Sequence, residues 1–135
     1  MSKTENRLLT PEVLAALAPY PLYAQETAKI PDLVAVAAFR IGAIRWYICE
    51  GNAEGETFTF YGLVCGMNET PELGYINANE LASIAVDGSA YGLPGFVFQV
   101  FPVQDFTPCR LADIKDEDVQ AYCAGMSVSA RKPSL

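Results

Sequence analysis

The sequence predicts an α+β protein, a single domain over residues 1–126 built as an antiparallel sheet of about five strands with helices packed on one face. Three observations carry that expectation. Short stretches alternate apolar and polar residues with a period of two between turn residues, helix-capping signals stand at three separate places, and strands follow one another without the regular strand–helix alternation of a parallel sheet. With 135 residues, 51% of them hydrophobic, the chain can bury a core without metal or disulfide support.

Met1–Leu9 is expected to be mobile or loosely docked. Thr10 before Pro11 starts a helix, because the hydroxyl caps free amides and proline is favoured at the first helical position; Pro19 and Pro21 stop it after about two turns. Leu33–Ile41 reads as a nearly all-apolar first strand, and Gly42-Ala43 as the tight loop into a second, Ile44–Glu50. That strand puts Ile44, Trp46 and Ile48 on one face and Arg45, Tyr47 and Cys49 on the other. Gly51–Gly55 reads as a loop. From Thr57, threonine and tyrosine alternate with Phe58, Phe60 and Gly62; Gly66, Asn68 and Pro71 reverse the chain, and Leu73 and Tyr75 resume the alternation.

Asn77 caps a helix at about Ala78 to Ala85, with Glu80 three residues on and Leu81, Ile84 and Ala85 on the face toward the sheet. Val86–Gly95, full of glycine and proline, reads as a connection, and Phe96–Phe101 as a fifth strand apolar on both faces, which has to be paired or covered. Asp113–Asp118 loads acids onto the start of a last helix that Gly125 ends; Ser127–Leu135, within the 127–135 tail, is expected to be disordered.

The charge pattern is the strongest functional signal. Between Trp46 and Cys109 there is no Lys or Arg, yet eight acids: Glu50, Glu54, Glu56, Glu69, Glu72, Glu80, Asp87 and Asp105. A surface of one negative sign repels phosphate backbones, so direct nucleic-acid binding is not expected; it attracts partners with basic clefts. The longest apolar runs fall far short of the roughly 20 residues that cross a bilayer, and the N-terminus lacks a signal-peptide core, so no membrane role and a cytoplasmic location are expected.

No histidine is present, which removes the commonest general base, metal ligand and triad partner. No catalytic residue, metal site or cofactor is expected. The pairs Glu69/Glu72 and Glu54/Glu56 fit solvated turns better than acid–base pairs. Cys49, Cys65, Cys109 and Cys123 read as buried thiols, with a Cys49–Cys65 bridge conceivable if their strands are neighbours. The candidate partner-binding residues are Glu50, Glu54, Glu56, Glu69 and Glu72, with Tyr61 and Tyr75 as aromatic anchors. A competing expectation is a small-ligand pocket between sheet and helices lined by Trp46, Tyr61 and Tyr75.

A series of motifs adds context. Pro21-Leu22-Tyr23 with Gln25-Glu26, Trp46-Tyr47 with Glu50, Tyr61-Gly62-Leu63-Val64 with Gly66, Glu72-Leu73-Gly74-Tyr75 leading to Glu80-Leu81, and Gly92-Leu93-Pro94 together resemble a bacterial family of short proteins of unknown function. Members of that family are carried on plasmids, conjugative elements and phages. The resemblance spans about Leu8 to Pro102 and departs at Gly95-Phe96-Val97-Phe98, where the family pattern has a charged stretch. It implies no activity and no catalytic residues. It implies a setting in which mobile elements meet host defences, so that with the acidic window the expected function is an inhibitor of a CRISPR or restriction complex. The expected partner is a host defence protein complex with a basic surface. An accessory subunit of a conjugation or replication apparatus, in which a homodimer is possible, is the alternative.

Overall fold

The computed structural model describes residues 6–125. Thr10 accepts from Val13 N at the start of α1 (Pro11–Leu17), as its hydroxyl and the following proline require. After a 3-10 turn at Ile30–Asp32 come β1 (Val34–Ala35), β2 (Ala37–Ile41), β3 (Ile44–Glu54), β4 (Thr57–Cys65) and β5 (Glu72–Asn77). Asn77 then caps α2 (Ala78–Ser83), accepting from the amides of Asn79 and Glu80. The remainder holds β6 (Ala85–Asp87), β7 (Val97–Gln99), β8 (Phe101–Pro102), β9 (Cys109–Arg110) and α3 (Glu117–Ala124).

The central sheet is antiparallel, in the order β5-β4-β3-β2-β8, so a meander of four strands gains a short fifth beside β2. This is the α+β fold of one five-stranded sheet with helices that the alternation implies. At Gly62, opposite Ile48, β4 runs close against β3: a Cβ there would collide with the carbonyl oxygen of Tyr47.

Both faces of the sheet are covered. Phe39, Trp46, Ile48, Phe58 and Phe60 pack with Val13 and Leu17 of α1 and Ala78 and Leu81 of α2. On the other face Tyr61, Leu63 and Cys65 pack with Ile30, Leu33, Leu111, Ile114 and Val119 and Cys123 of α3. The expectation of helices on one face therefore holds for α1 and α2, while α3 lies opposite; Val119 and Cys123, four residues apart, give it the apolar stripe that the second face of the sheet needs.

Five element expectations are corrected. Leu33–Ile41 is not one strand: Val36 and Ala37 both turn to the α1 face, alternation fails there, and β1 pairs with β9 instead. Gly51–Gly55 is not a loop, because Gly51, Asn52 and Ala53 pair with Phe60, Thr59 and Phe58 and carry β3 on to Glu54. Val86–Gly95 contributes β6, which pairs with β7, and the stretch Phe96–Phe101 breaks at buried Val100 into β7 and β8 on separate sheets. Residues 6–9 are not loose either: Leu8 and Leu9 are core residues, Asn6 donates to Ala78 O, and Arg7 donates to the carbonyls of Ala82 and Val100. The 127–135 tail lies outside the described residues.

Candidate interaction surface

The five carboxylates expected at a partner surface do not form one cluster. Glu50 is fully buried. A bulge in β3 between Ile48 and Glu50 shifts the register, pairs Glu50 with Tyr61 and turns its carboxylate into the α3 face. There it accepts from the backbone amides of Tyr23 and Gln25, each at 2.8 Å. A carboxylate taken out of water needs such charge-assisted bonds, so Glu50 is a structural anchor and not a partner contact.

Gln25 completes the anchor. Its amide nitrogen donates to Val34 O and Cys49 O, both at 3.0 Å, and its oxygen accepts from Val34 N at 2.7 Å. Asn52 accepts from Leu22 N at 2.6 Å, and Gly51 N donates to Tyr20 O. The segment from Tyr20 to Gln25 is thereby fastened to β3 at successive points, with Tyr23 held at a positive φ of 73° that a bulky residue adopts only when its surroundings fix it. Sequence reasoning marked Glu50 for its charge and missed Gln25; the position of Glu50 directly after buried Ile48 and Cys49 was the available signal.

Tyr61 is also buried, so it is not a partner contact; its inward position follows from the α3 face that it shares with Leu63. It supports Tyr75, whose ring lies 5.1 Å away across the β4–β5 pair. Tyr75 in turn lies 6.2 Å from Tyr23, and these two are 40% and 48% exposed. Glu72 and Glu69 are exposed on β5 and on the loop before it. β5 is an edge strand, and along it Glu72, opposite Val64, leaves the α1 face while Tyr75, opposite Tyr61, leaves the α3 face beside Tyr23. Glu54 and Glu56 are exposed too, at the β3–β4 turn, but β4 has nine residues, which separates them from the β4–β5 loop by about 27 Å.

A second polar cluster escaped the sequence reading. Arg45 Nε and a terminal nitrogen grip Asp116 at 2.9 and 2.7 Å, a further bond of 2.8 Å reaches Asp118, and Tyr47 donates to Asp116 at 2.6 Å. Asp116 also caps α3, accepting from Asp118 N. Burial opposes the charge on Asp116, but the bonds from Tyr47 and Arg45 outweigh it and hold the carboxyl below its usual range. Burial first, and then the bond to Asp116, pushes Tyr47 up to about 12. This cluster ties α3 to the sheet. The only hint of it in sequence was the acid cluster at a helix start, since Arg45 lies 71 residues away.

The remaining chemical expectations meet the following geometry. Cys65 stands opposite Arg45, four positions along β3 from Cys49, a spacing of roughly 13 Å. A disulfide tolerates about 7 Å, so no Cys49–Cys65 bridge forms. Burial pushes the Cys65 thiol up to about 12. Trp46 is buried on the α1 face while Tyr61 is buried on the other, so the expected pocket shared by Trp46, Tyr61 and Tyr75 does not exist. A cleft of about 580 Å³ lies instead beside Arg40, Arg45, Tyr47, Phe106 and Lys115. Among the described residues no three of His, Cys, Asp and Glu gather at metal-binding distance, and no helix is long and apolar enough to cross a membrane.

One further surface stands out. Tyr91 is 67% exposed, Phe96 62% and Val97 66%, with Leu93, Phe98 and Phe101 also open to solvent. All belong to the β6–β7 hairpin or to β8 beside it. Gly88 closes that hairpin: its amide donates to Phe96 O, it accepts from Leu93 N, and a Cβ there would lie 2.5 Å from Leu93 O. Comparison of the chain with protein-family models, curated proteins and solved structures finds no match.

Proposed function

We propose that this chain is a non-enzymatic, acidic interaction protein whose β5 edge docks on a basic surface of a partner, most concretely an inhibitor that blocks the nucleic-acid site or the assembly of a CRISPR or restriction complex. The observation that carries the reading is the β5 edge: exposed Glu72 and Tyr75 on the edge strand and Glu69 on the loop before it, inside a 64-residue stretch without a single Lys or Arg, with the exposed ring of Tyr23 beside Tyr75. Tyrosine and carboxylate together suit a basic cleft, the ring supplying contact area and stacking on arginine while the carboxylates supply charge. The setting, a mobile element facing a host defence, comes from the motif resemblance alone.

The test is capture from a host extract with the tagged chain at low and at moderate salt, with bound proteins identified by mass spectrometry. A nucleic-acid-handling complex that is retained at low salt and lost as salt rises supports the proposal, since exposed charges are screened within about a Debye length. Recovery of the chain alone at both salts contradicts it.

A further inference from the structure

The apolar surface around β7 asks for a different occupant. From Gly88 to Gln104 no residue carries a charge, although the whole chain carries a net charge of −7. Within that stretch the four exposed rings of Tyr91, Phe96, Phe98 and Phe101 present on the order of 400 Å² to water. Leu93 and Val97 enlarge the patch. A recess of about 390 Å³ adjoins it, walled by Ile41, Ile44, Val86, Tyr91 and Phe98 at the tip of the β2–β3 hairpin. The largest apolar patch on a monomer is typically about 300–600 Å², and a stable interface takes roughly 800 Å² from each partner. The rings supply about half of that area, and Leu93, Val97 and the walls of the recess add to it.

We infer that this surface is covered by a second copy of the chain in a two-fold homodimer, the projecting rings of each copy packing over the recess of the other. Two considerations select a second copy. Over the acidic stretch from Trp46 to Asp87 two copies would bring carboxylates together, whereas the uncharged stretch from Gly88 to Gln104 lets them approach without repulsion. A surface that holds both projection and recess is self-complementary, which a two-fold contact requires. The exposed β7–β8 segment also lacks the lysines that guard a solvent-facing edge strand. β8 and β5 lie at opposite edges of the sheet, so this contact leaves both β5 edges outside the interface.

Sedimentation equilibrium of the full chain over a range from micromolar to hundreds of micromolar tests the inference. The parent is expected at twice the chain mass of 14.6 kDa. The double variant Phe96→Glu, Phe101→Glu, which faces like charges across the two-fold axis, is expected to weaken the dimer by about 100-fold or more with an unchanged circular dichroism spectrum. Should that variant lose its spectrum, Tyr91→Lys, on the 3-10 turn Gly88–Tyr91 between β6 and β7, repeats the test. A parent that sediments at the mass of one chain throughout overturns the inference, as does a folded variant that stays dimeric.

Discussion

The two edges of the central sheet differ in almost every physical respect. β5 carries Glu72 and Tyr75 outward, is flanked by Glu69 and Tyr23, and adjoins the buried Glu50–Gln25 anchor through the tilted ring contacts of Tyr61, Tyr75 and Tyr23. β8 has only two residues, continues the small β6–β7 hairpin, and offers rings on a stretch that carries no charge of its own, with Arg40 opposite Phe101 as the neighbouring charge. One edge is polar and braced by a hydrogen-bond network. The other is apolar and held mainly by backbone turns. An acidic edge discriminates by charge and loses affinity with salt; an apolar one gains by removing area from water and is nearly indifferent to salt. Two surfaces of such different chemistry on one small sheet are separable, and substitutions should tell them apart.

The largest expected effect is on the brace under β5. Glu50→Ala leaves the buried amides of Tyr23 and Gln25 unsatisfied and should cost about 3 kcal/mol in denaturant unfolding. Amide exchange should quicken first in Tyr20–Gln25 and in Glu72–Asn77, and self-association through the other edge should survive wherever the variant remains folded. A uniform loss at both edges would show that they are one cooperative unit.

Asp116→Asn should come next, at about 2 kcal/mol, because it weakens charge-assisted bonds from Arg45 and Tyr47 at once. Its pH signature has a definite sign. The folded-state value of Asp116 lies below its ordinary 3.8, so its contribution is present above that value and disappears as pH falls through the lowered one. Acid unfolding curves of parent and variant should therefore converge at low pH. At the alkaline end the sign reverses: Tyr47 rises from 10.0 to about 12 on folding, so its contribution is intact below 10 and is lost as pH climbs toward 12. Tyr47→Phe should flatten that part of the stability profile. The smallest expected effect belongs to the β3–β4 turn, where Glu54→Lys with Glu56→Lys alters exposed positions only and should change stability by less than about 0.5 kcal/mol.

What could be read from sequence was local. The Thr10-Pro11 start, the Asn77 cap, the Gly42-Ala43 turn and the alternation from Thr57 to Gly62 are each decided by neighbours within a few residues, and each stands in the fold. What escaped depends on distant partners. Glu50 is buried because a bulge rotates it toward a segment 25 to 27 residues earlier, and Asp116 is gripped from 71 residues away. The carboxylates counted as one acidic surface are dispersed by the length of β4, which no charge tally along the chain reveals. The hydrophobicity of Phe96–Phe101 was plain, but its division between two sheets, and so its exposure, turns on the pairing of β7 with β6 and of β8 with β2.

Which carboxylates bind is the most direct test of docking through the β5 edge. Two charge reversals of equal size, Glu69→Lys with Glu72→Lys at the β5 edge and Glu54→Lys with Glu56→Lys at the opposite end, should be compared in capture from host extract at low salt. The first pair is expected to lose the captured complex and the second to retain it. Equal loss from both would mean that net charge alone governs binding, and retention by the first pair would remove the β5 edge as the docking surface.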